Sequence, residues 1–443
     1  MRAIKLSLIA LFVLLSLVWL AADTLVPEPF NYFTFRHAFI QYSGVLCLGV
    51  MTAAMLLAVR PKWLEPYLDG LDKMYRLHKW LGISALILAI AHWWWARGTK
   101  WMVGWGWLVK PRGNGQIERT DIELWIRTQR GLAESIGEWA FYLSVLLILL
   151  ALIKRFPYHW FAKTHKLFAV AYLFLAYHAI ILTDYAYWFQ PIGWLIALML
   201  IAGCVAAIMS LFDKIGKSRQ VQGHITSLTP YPALNSLKTV IQLQPGWPGH
   251  NAGQFAFVTS DEDEGAHPYT IASSWNAQTR EIAFITKALG DHTSKLAKHL
   301  KVGMEVSVEG PYGCFDFDDH QPQQIWIGAG IGITPFIARM QQLAENNPRQ
   351  QIIDLFHPTA VLDSAAIAQL QEYAHAAHVR LHIWHGPNKK RLDAEAIREA
   401  VIGWHTASIW FCGPPAFGQA LQNDFIAAGL PAYRFHQELF QMR

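Results

Sequence analysis

The sequence predicts a multi-domain membrane protein, in which a six-helix transmembrane bundle is followed by an antiparallel β-barrel domain and an α/β domain with a parallel sheet. Three observations carry this. The long apolar runs of the 443 residues lie almost entirely in the first half, while acidic and amide residues collect after about Asp213. Beyond Lys217 the pattern breaks into short alternating runs separated by Gly and Pro, the mark of antiparallel strands. From Gln324 onward, short apolar runs alternate with helical ones, which is βα repetition and hence a parallel sheet. A chain of this length calls for about three units of ~150 residues, expected here at 1–217, 218–320 and 321–443.

Six segments, at 4–22, 38–59, 77–96, 132–153, 159–183 and 189–212, approach the ~20 apolar residues that cross ~30 Å of hydrocarbon. The first also fits a signal peptide, with Arg2 and Lys5 before it and Ala21 and Ala22 after it. Its apolar run exceeds the usual ~7 to 15 residues, so a retained anchor is the expectation. Basic residues gather at alternate span ends, as in Arg60 and Lys62, Lys163 and Lys166, and Lys214 and Lys217. Because cytoplasmic loops concentrate Lys and Arg, both termini are expected in the cytoplasm, with the chain multi-pass in the plasma (inner) membrane of a bacterium. The Trp-rich connection from Gly98 to Arg130 reads as an outer cap on the membrane surface.

The net charge of +5 is scattered and forms no dense basic stripe, so nucleic acid is not an expected partner. Nor does any segment point to an obligatory protein partner. Four cysteines, none in a CxxC pair, argue against an iron–sulfur cluster or structural zinc. Bound iron would then be haem.

Ionisable groups within spans are costly and mark a task. His78 and His92 lie 14 residues apart in the third span, and His165 and His178 lie 13 apart in the fifth. At 1.5 Å per residue each pair is separated by about 20 Å along its helix. His78 can therefore meet His165, and His92 can meet His178, holding two haem b groups by two imidazoles each. On an ideal helix the 13-residue step turns His178 about 140° from His165, so a tightened turn or strong tilt is required. The bland reading is a transporter with satisfied core histidines. His37 and His159, at span ends, read as interfacial.

Two motifs of the soluble half suit nucleotide chemistry. At Gly328-Ala329-Gly330-Ile331-Gly332-Ile333-Thr334-Pro335 a strand runs into glycines and then a helix, letting backbone N–H groups approach a pyrophosphate. Thr334 reads as the helix N-cap and Pro335 as its first residue. Gly310-Pro311-Tyr312-Gly313 reads as a tight turn closing the barrel. His267-Pro268-Tyr269-Thr270, followed by Ser273-Ser274, matches a flavin-binding pattern.

In that motif, in the order of the motifs after it and in Cys412-Gly413-Pro414-Pro415, the chain resembles the ferric reductase and NADPH oxidase family. The resemblance implies FAD, with Tyr269 packed on the isoalloxazine, the Thr270 hydroxyl at its N5 edge, and His267 and the serines at the pyrophosphate. Gly290 and Thr293, at a helix start, would offer N–H groups to an FAD phosphate. Cys412, Gly413 and Pro414 would orient the nicotinamide, and Phe440 in the closing Phe435–Phe440 segment would cover the flavin until displaced. NADPH or NADH would donate; the usual arginine is missing from His357-Pro358-Thr359, and Lys389, Lys390 and Arg391 are the alternative cations for a 2′-phosphate. Electrons would pass from FAD through both haems to oxygen, giving superoxide, or to ferric iron. Arg36 would sit against a haem propionate or a forming superoxide anion, or else be an ordinary interfacial arginine. The animal oxidases carry a further histidine one turn beyond the outer ligand, where this chain has Ala96, a departure that weakens a dedicated oxygen site.

Overall fold

A computed structural model describes residues 2–110, 120–153, 158–262, 264–290, 292–345, 351–386 and 391–438. The chain divides into two compact units, one made of residues 1–68 and 73–215 and the other of 69–72 and 216–443.

The first unit is helical: α1 (Arg2–Leu20), α2 (Tyr32–Ala58), α3 (Leu71–Trp93), α4 (Thr99–Gly104), α5 (Asp121–Leu152), α6 (Tyr158–His165), α7 (Leu167–Leu182) and α8 (Pro191–Leu211). Among the described residues, five helical stretches are long and apolar enough to cross a membrane: Ala3–Leu20, Tyr32–Ala58, Asp121–Leu152, Lys163–Leu182 and Pro191–Leu211. The third of the six expected spans, which falls on α3, is not among these five. Helix α3 has 23 residues, but Asp72, Lys73, Arg76 and Lys79 in its first turns lower its apolar content below that of its neighbours. Its C-terminal end widens into a π-helical turn, Trp94–Gly98, that continues into α4. Helix α5 starts at Asp121, where the Thr120 hydroxyl accepts the Glu123 N–H at 3.3 Å. The expected surface cap over Gly98–Arg130 is therefore mostly helix, and its stretch 111–119 lies outside the described residues.

The predicted fifth span is two helices, α6 and α7, which meet at Lys166. There the Ala169 N–H reaches the Lys166 carbonyl at 3.0 Å, an i→i−3 bond that winds the backbone more tightly than an α-turn. Leu15 and Trp19 of α1, Tyr172 of α7, and Ile192 and Ile196 of α8 pack in one core against α2. Polar groups in it are paired, as Thr52 with the Tyr172 hydroxyl at 2.7 Å.

The second unit opens with β1 (Gln220–Tyr231), β2 (Ser236–Leu243), β3 (Phe255–Thr259), β4 (His267–Thr270), β5 (Glu281–Lys287), the short helix α9 (Thr293–His299) and β6 (Glu305–Tyr312). These strands form one antiparallel sheet in the order β4-β3-β6-β1-β2-β5. Its inward residues, among them Ile225, Ile241, Phe284 and Val308, make a single apolar core. The sheet is open. Beyond β4, which ends after four residues, the described residues give one isolated bridge, Ile271–Phe284, and no continuous ladder between the two edges, so the expected closed barrel is corrected. Gly310-Pro311-Tyr312 is likewise the end of β6 and not a turn, with a bulge opposite Phe255 and Phe257; Gly313 follows it, its carbonyl accepting from Gln254 Nε2 at 3.3 Å.

Then follow β7 (Gln323–Gly328), α10 (Thr334–Glu345), β8 (Ile352–Pro358), α11 (Ser364–Ala376), β9 (Arg380–Trp384), α12 (Ala394–Ala400), β10 (Ser408–Cys412), α13 (Pro415–Ala427) and β11 (Phe435–Gln437). The sheet is parallel throughout, in the order β11-β10-β7-β8-β9. Both faces are covered, by α10 and α11 on one side and α12 and α13 on the other, which is why β7 and β10 read as unbroken buried runs rather than alternating ones.

Candidate functional site

The four histidines of α3, α6 and α7 meet as two pairs. Ring centres of His78 and His165 are 5.9 Å apart, and those of His92 and His178 are 6.3 Å apart. Imidazole nitrogens sit ~2.0 Å from a divalent metal; adding ~1.1 Å from nitrogen to ring centre puts two rings on opposite sides of one ion about 6.2 Å apart. Both pairs therefore fit a metal held between two imidazoles.

Their outer nitrogens agree with this. His78 Nδ1 donates to the Ala54 carbonyl at 2.9 Å, His178 Nδ1 to the Ala133 carbonyl at 2.9 Å, and His92 Nδ1 lies 3.0 Å from the Ser43 hydroxyl. Such contacts fix the tautomer and leave Nε2 for a metal. His165 differs: among the described residues its buried Nδ1 has no hydrogen-bond partner, and its ring packs against Phe161 and Phe168 at 4.9 and 5.0 Å. The tight turn at Lys166 lies between His165 and His178, within the 13-residue spacing. His37 instead contacts Asp184 at 3.1 Å, and the His159 side chain lies outside the described residues.

Several partners escape a reading of the sequence. Ser43, Ala54 and Ala133 act by position along their helices, which no residue type announces.

Arg36 is occupied. Its Nε donates to the Trp95 carbonyl and its Nη2 to the Ala96 carbonyl, both at 3.1 Å. Both carbonyls belong to the π-turn, and that of Trp95 also accepts from the Thr99 hydroxyl at 2.8 Å. Two of the three Arg36 guanidinium nitrogens are thus directed at backbone oxygens of that turn.

The flavin motif forms β4 and the loop after it. Tyr269 is half-buried beside Phe284, its hydroxyl 3.0 Å from His292 Nε2, while Pro268 pairs with Phe257 across β3 and Thr270 is buried at 8 % exposure. His267 stacks face to face on His292, with ring centres 3.6 Å apart. Burial, and then the neighbouring His292, push His267 down to about 4, so near neutral pH it is an N–H donor and carries no charge. Ser273 Oγ accepts the Ala283 N–H at 3.0 Å, and Ser274 is tied to α10 through Gln341 and Glu345. The two serines therefore brace the loop. The Gly290 N–H is directed at Thr293 Oγ1 at 3.1 Å.

At the end of β7, Gly328 offers its carbonyl to the buried His357 Nδ1 at 2.7 Å. Gly330 follows with φ +58°, and Gly332 approaches the end of β10 so closely that a Cβ there would sit 2.2 Å from the Cys412 carbonyl oxygen. Only glycine fits. Thr334 is already helical, and its hydroxyl donates to the Ile331 carbonyl at 2.7 Å; the expected N-cap role is corrected, because a 3₁₀ turn over Gly330–Ile333 already leads the chain in. Pro335 is then the second helical residue. Cys412 is fully buried, and burial followed by the nearby Glu438 raises its thiol pKa, so the sulfur is core packing. Gly413, with φ +158°, and Pro414 carry the chain from β10 into α13. Phe440, Lys389 and Lys390 lie outside the described residues, and Arg391 is exposed.

Helical bundle, antiparallel sheet and parallel sheet with a glycine turn define the class: a membrane component joined to a flavin-binding and a nucleotide-binding domain. Residues 43–176 match the family described as ferric reductase like transmembrane component, residues 232–315 the FAD-binding domain, and residues 326–423 the oxidoreductase NAD-binding domain. The chain thus has the domain architecture of the ferric reductase and NADPH oxidase family. It is 29% identical over 175 residues to the vanillate O-demethylase oxidoreductase of Pseudomonas sp. (strain HR199 / DSM 7063), covering 38% of this chain and 53% of that one. To ferric reduction oxidase 5 of Arabidopsis thaliana it is 40% identical over 81 residues, 17% of this chain and 12% of that one. The chain spans about half the length, or less, of these relatives. Among solved structures, the cytochrome P450 reductase GcoB of Amycolatopsis matches half of the chain and 70% of its own, with 22% identity and a TM-score of 0.43, a likeness too weak to argue from.

Proposed function

We propose that this chain moves electrons from a nicotinamide nucleotide, by way of FAD and two haems, across the bilayer to ferric iron. The observation that carries this is the pair of histidine couples at the spacing of ligands on opposite sides of one metal. When bound, the flavin converts the two-electron donor into single electrons and the haems give those electrons a path. His78 and His165 would hold one haem, and His92 and His178 the other. Lys166, next to His165, is ion-paired with Asp213 just beyond α8, which puts the first couple at the end of the bundle from which the chain leaves for its second unit. That couple would receive electrons first.

In the second unit, Tyr269 and Thr270 would meet the flavin ring, with His267 donating a hydrogen bond near the diphosphate. Gly328, Gly330 and Gly332 would let backbone N–H groups approach the donor nucleotide, and Cys412, Gly413 and Pro414 would border the nicotinamide through their backbone. Phe440 would cover the flavin face.

Ferric iron is placed before oxygen as acceptor for two reasons. Arg36 is spent on carbonyls, and Ala96 stands where the animal oxidases carry histidine. The membrane match to the ferric reductase like component supports the same choice. Membranes holding the protein are given NADPH or NADH, with ferric chelate under nitrogen or with oxygen and a superoxide dye. Rapid ferric reduction with a dye signal indifferent to dismutase is the result expected; a dismutase-sensitive signal without ferric reduction would assign oxygen instead. Purified protein lacking haem bands would overturn the electron path altogether.

A further inference from the structure

Helix α5 supplies none of the four histidines, yet it packs directly against one of them. The Ala133 carbonyl takes the His178 Nδ1 hydrogen at 2.9 Å. One turn on, a Cβ at Gly137 would lie 2.0 Å from His178 Nδ1, 2.4 Å from Cε1 and 2.7 Å from Cγ. Positions i and i+4 of a helix share a face, so α5 presents an acceptor and a gap side by side, and the imidazole lies in the gap with its N–H on the acceptor. Nothing comparable presses on its partner: a Cβ at Gly44 would meet His92 at 3.5 Å, an ordinary contact.

We infer that Gly137 is a positioning residue for His178, setting the plane in which that ring faces a metal and keeping the Ala133 hydrogen bond closed. This rests on the reading of His92 and His178 as one haem's ligands. An alanine methyl cannot occupy the place of the ring, so the imidazole must move by more than an ångström or turn. Either motion opens the bond to Ala133, and outer-sphere bonds of this kind are worth ~10- to 100-fold in metal affinity. It also changes the 74° between the planes of His92 and His178. That angle has its own readout, because it governs how nearly equal in energy the iron d orbitals facing the two rings are, and hence the low-field EPR signal of the ferric form.

The test compares full-length wild type, Gly137→Ala and Gly49→Ala, purified in detergent, for haem-to-flavin ratio and ferric EPR spectrum. Gly49 is the control for crowding in the bundle: a Cβ there would sit 2.3 Å from the Leu15 side chain. Gly137→Ala should halve the haem-to-flavin ratio, or keep the haem and shift one low-field signal, while the other signal stays in place. Gly49→Ala should leave both signals and the ratio unchanged. An unaltered ratio and spectrum in Gly137→Ala would overturn the inference. So would loss of both haems together, or the same defect in Gly49→Ala, since each would make the glycine a general packing residue. Wild-type protein without haem would overturn the histidine-pair reading itself.

Discussion

His78, His92 and His178 each have Nδ1 at an acceptor, whereas among the described residues His165 packs against aromatic rings with no acceptor at its Nδ1. The couples are therefore not equivalent, and removing one histidine should act on its own couple. His78→Ala is expected to halve the haem-to-flavin ratio and abolish reduction of the acceptor, while NADPH still bleaches the flavin in an anaerobic spectrum. Full acceptor reduction by this variant would refute the pairing. The four histidines were legible because charged or polar side chains are rare in apolar spans and these recur at matched depths. Gly137 was not, since the atom that makes it necessary belongs to a residue 41 positions away.

Individual elements carry two further consequences. Asp354 on β8 is buried at 1 % exposure and accepts from Gln323 Nε2 at 3.1 Å, His382 Nε2 at 2.9 Å and Arg380. Burial alone would raise its pKa, but these bonds outweigh it and hold the carboxyl below its ordinary 3.8. A depressed carboxylate pKa stabilises the fold above the ordinary value, and that contribution is lost as pH falls below it. Asp354→Ala should accordingly cost about 1 to 3 kcal/mol at pH 7 by leaving buried donors unmatched, seen as a lower thermal midpoint, with the difference from wild type shrinking below pH 3.8. Gly332→Ala drives a methyl against the backbone of β10 and should raise KM for the nucleotide at least several-fold without changing haem content; an unchanged KM would show that the turn does not touch the donor. Strand alternation made the sheets readable, but not the edge of the first one. Whether β4 and β5 close a barrel depends on how many residues remain to pair after Thr270, and a period of two is silent about that.

Across the second unit, four histidines are kept neutral by the same cause. Burial pushes His250 and His267 down to about 4, and lowers His292 and His357 as well. An unfolded chain binds protons at these sites from about pH 6.5, so between there and about pH 4 the unfolded state holds more protons and stability falls with pH. Thermal midpoints of the full-length protein should decline steadily from pH 6.5 to 4; a flat profile would mean that these rings are hydrated or protonated in the fold.

The sequence by itself determined the order of the parts, a membrane half followed by antiparallel strands and then βα repeats, because hydrophobic period and length are properties of the local chain. It also determined which histidines could pair, since depth along a helix is a matter of counting. Tertiary structure alone decided what each side chain spends its polar atoms on. Arg36 bonds to carbonyls of a π-turn, Ser273 and Ser274 brace a loop, and Cys412 packs into the core. Each outcome depends on a neighbour brought in by the fold from elsewhere in the chain, and hydrogen bonds and close contacts act over a few ångströms of space rather than along the sequence.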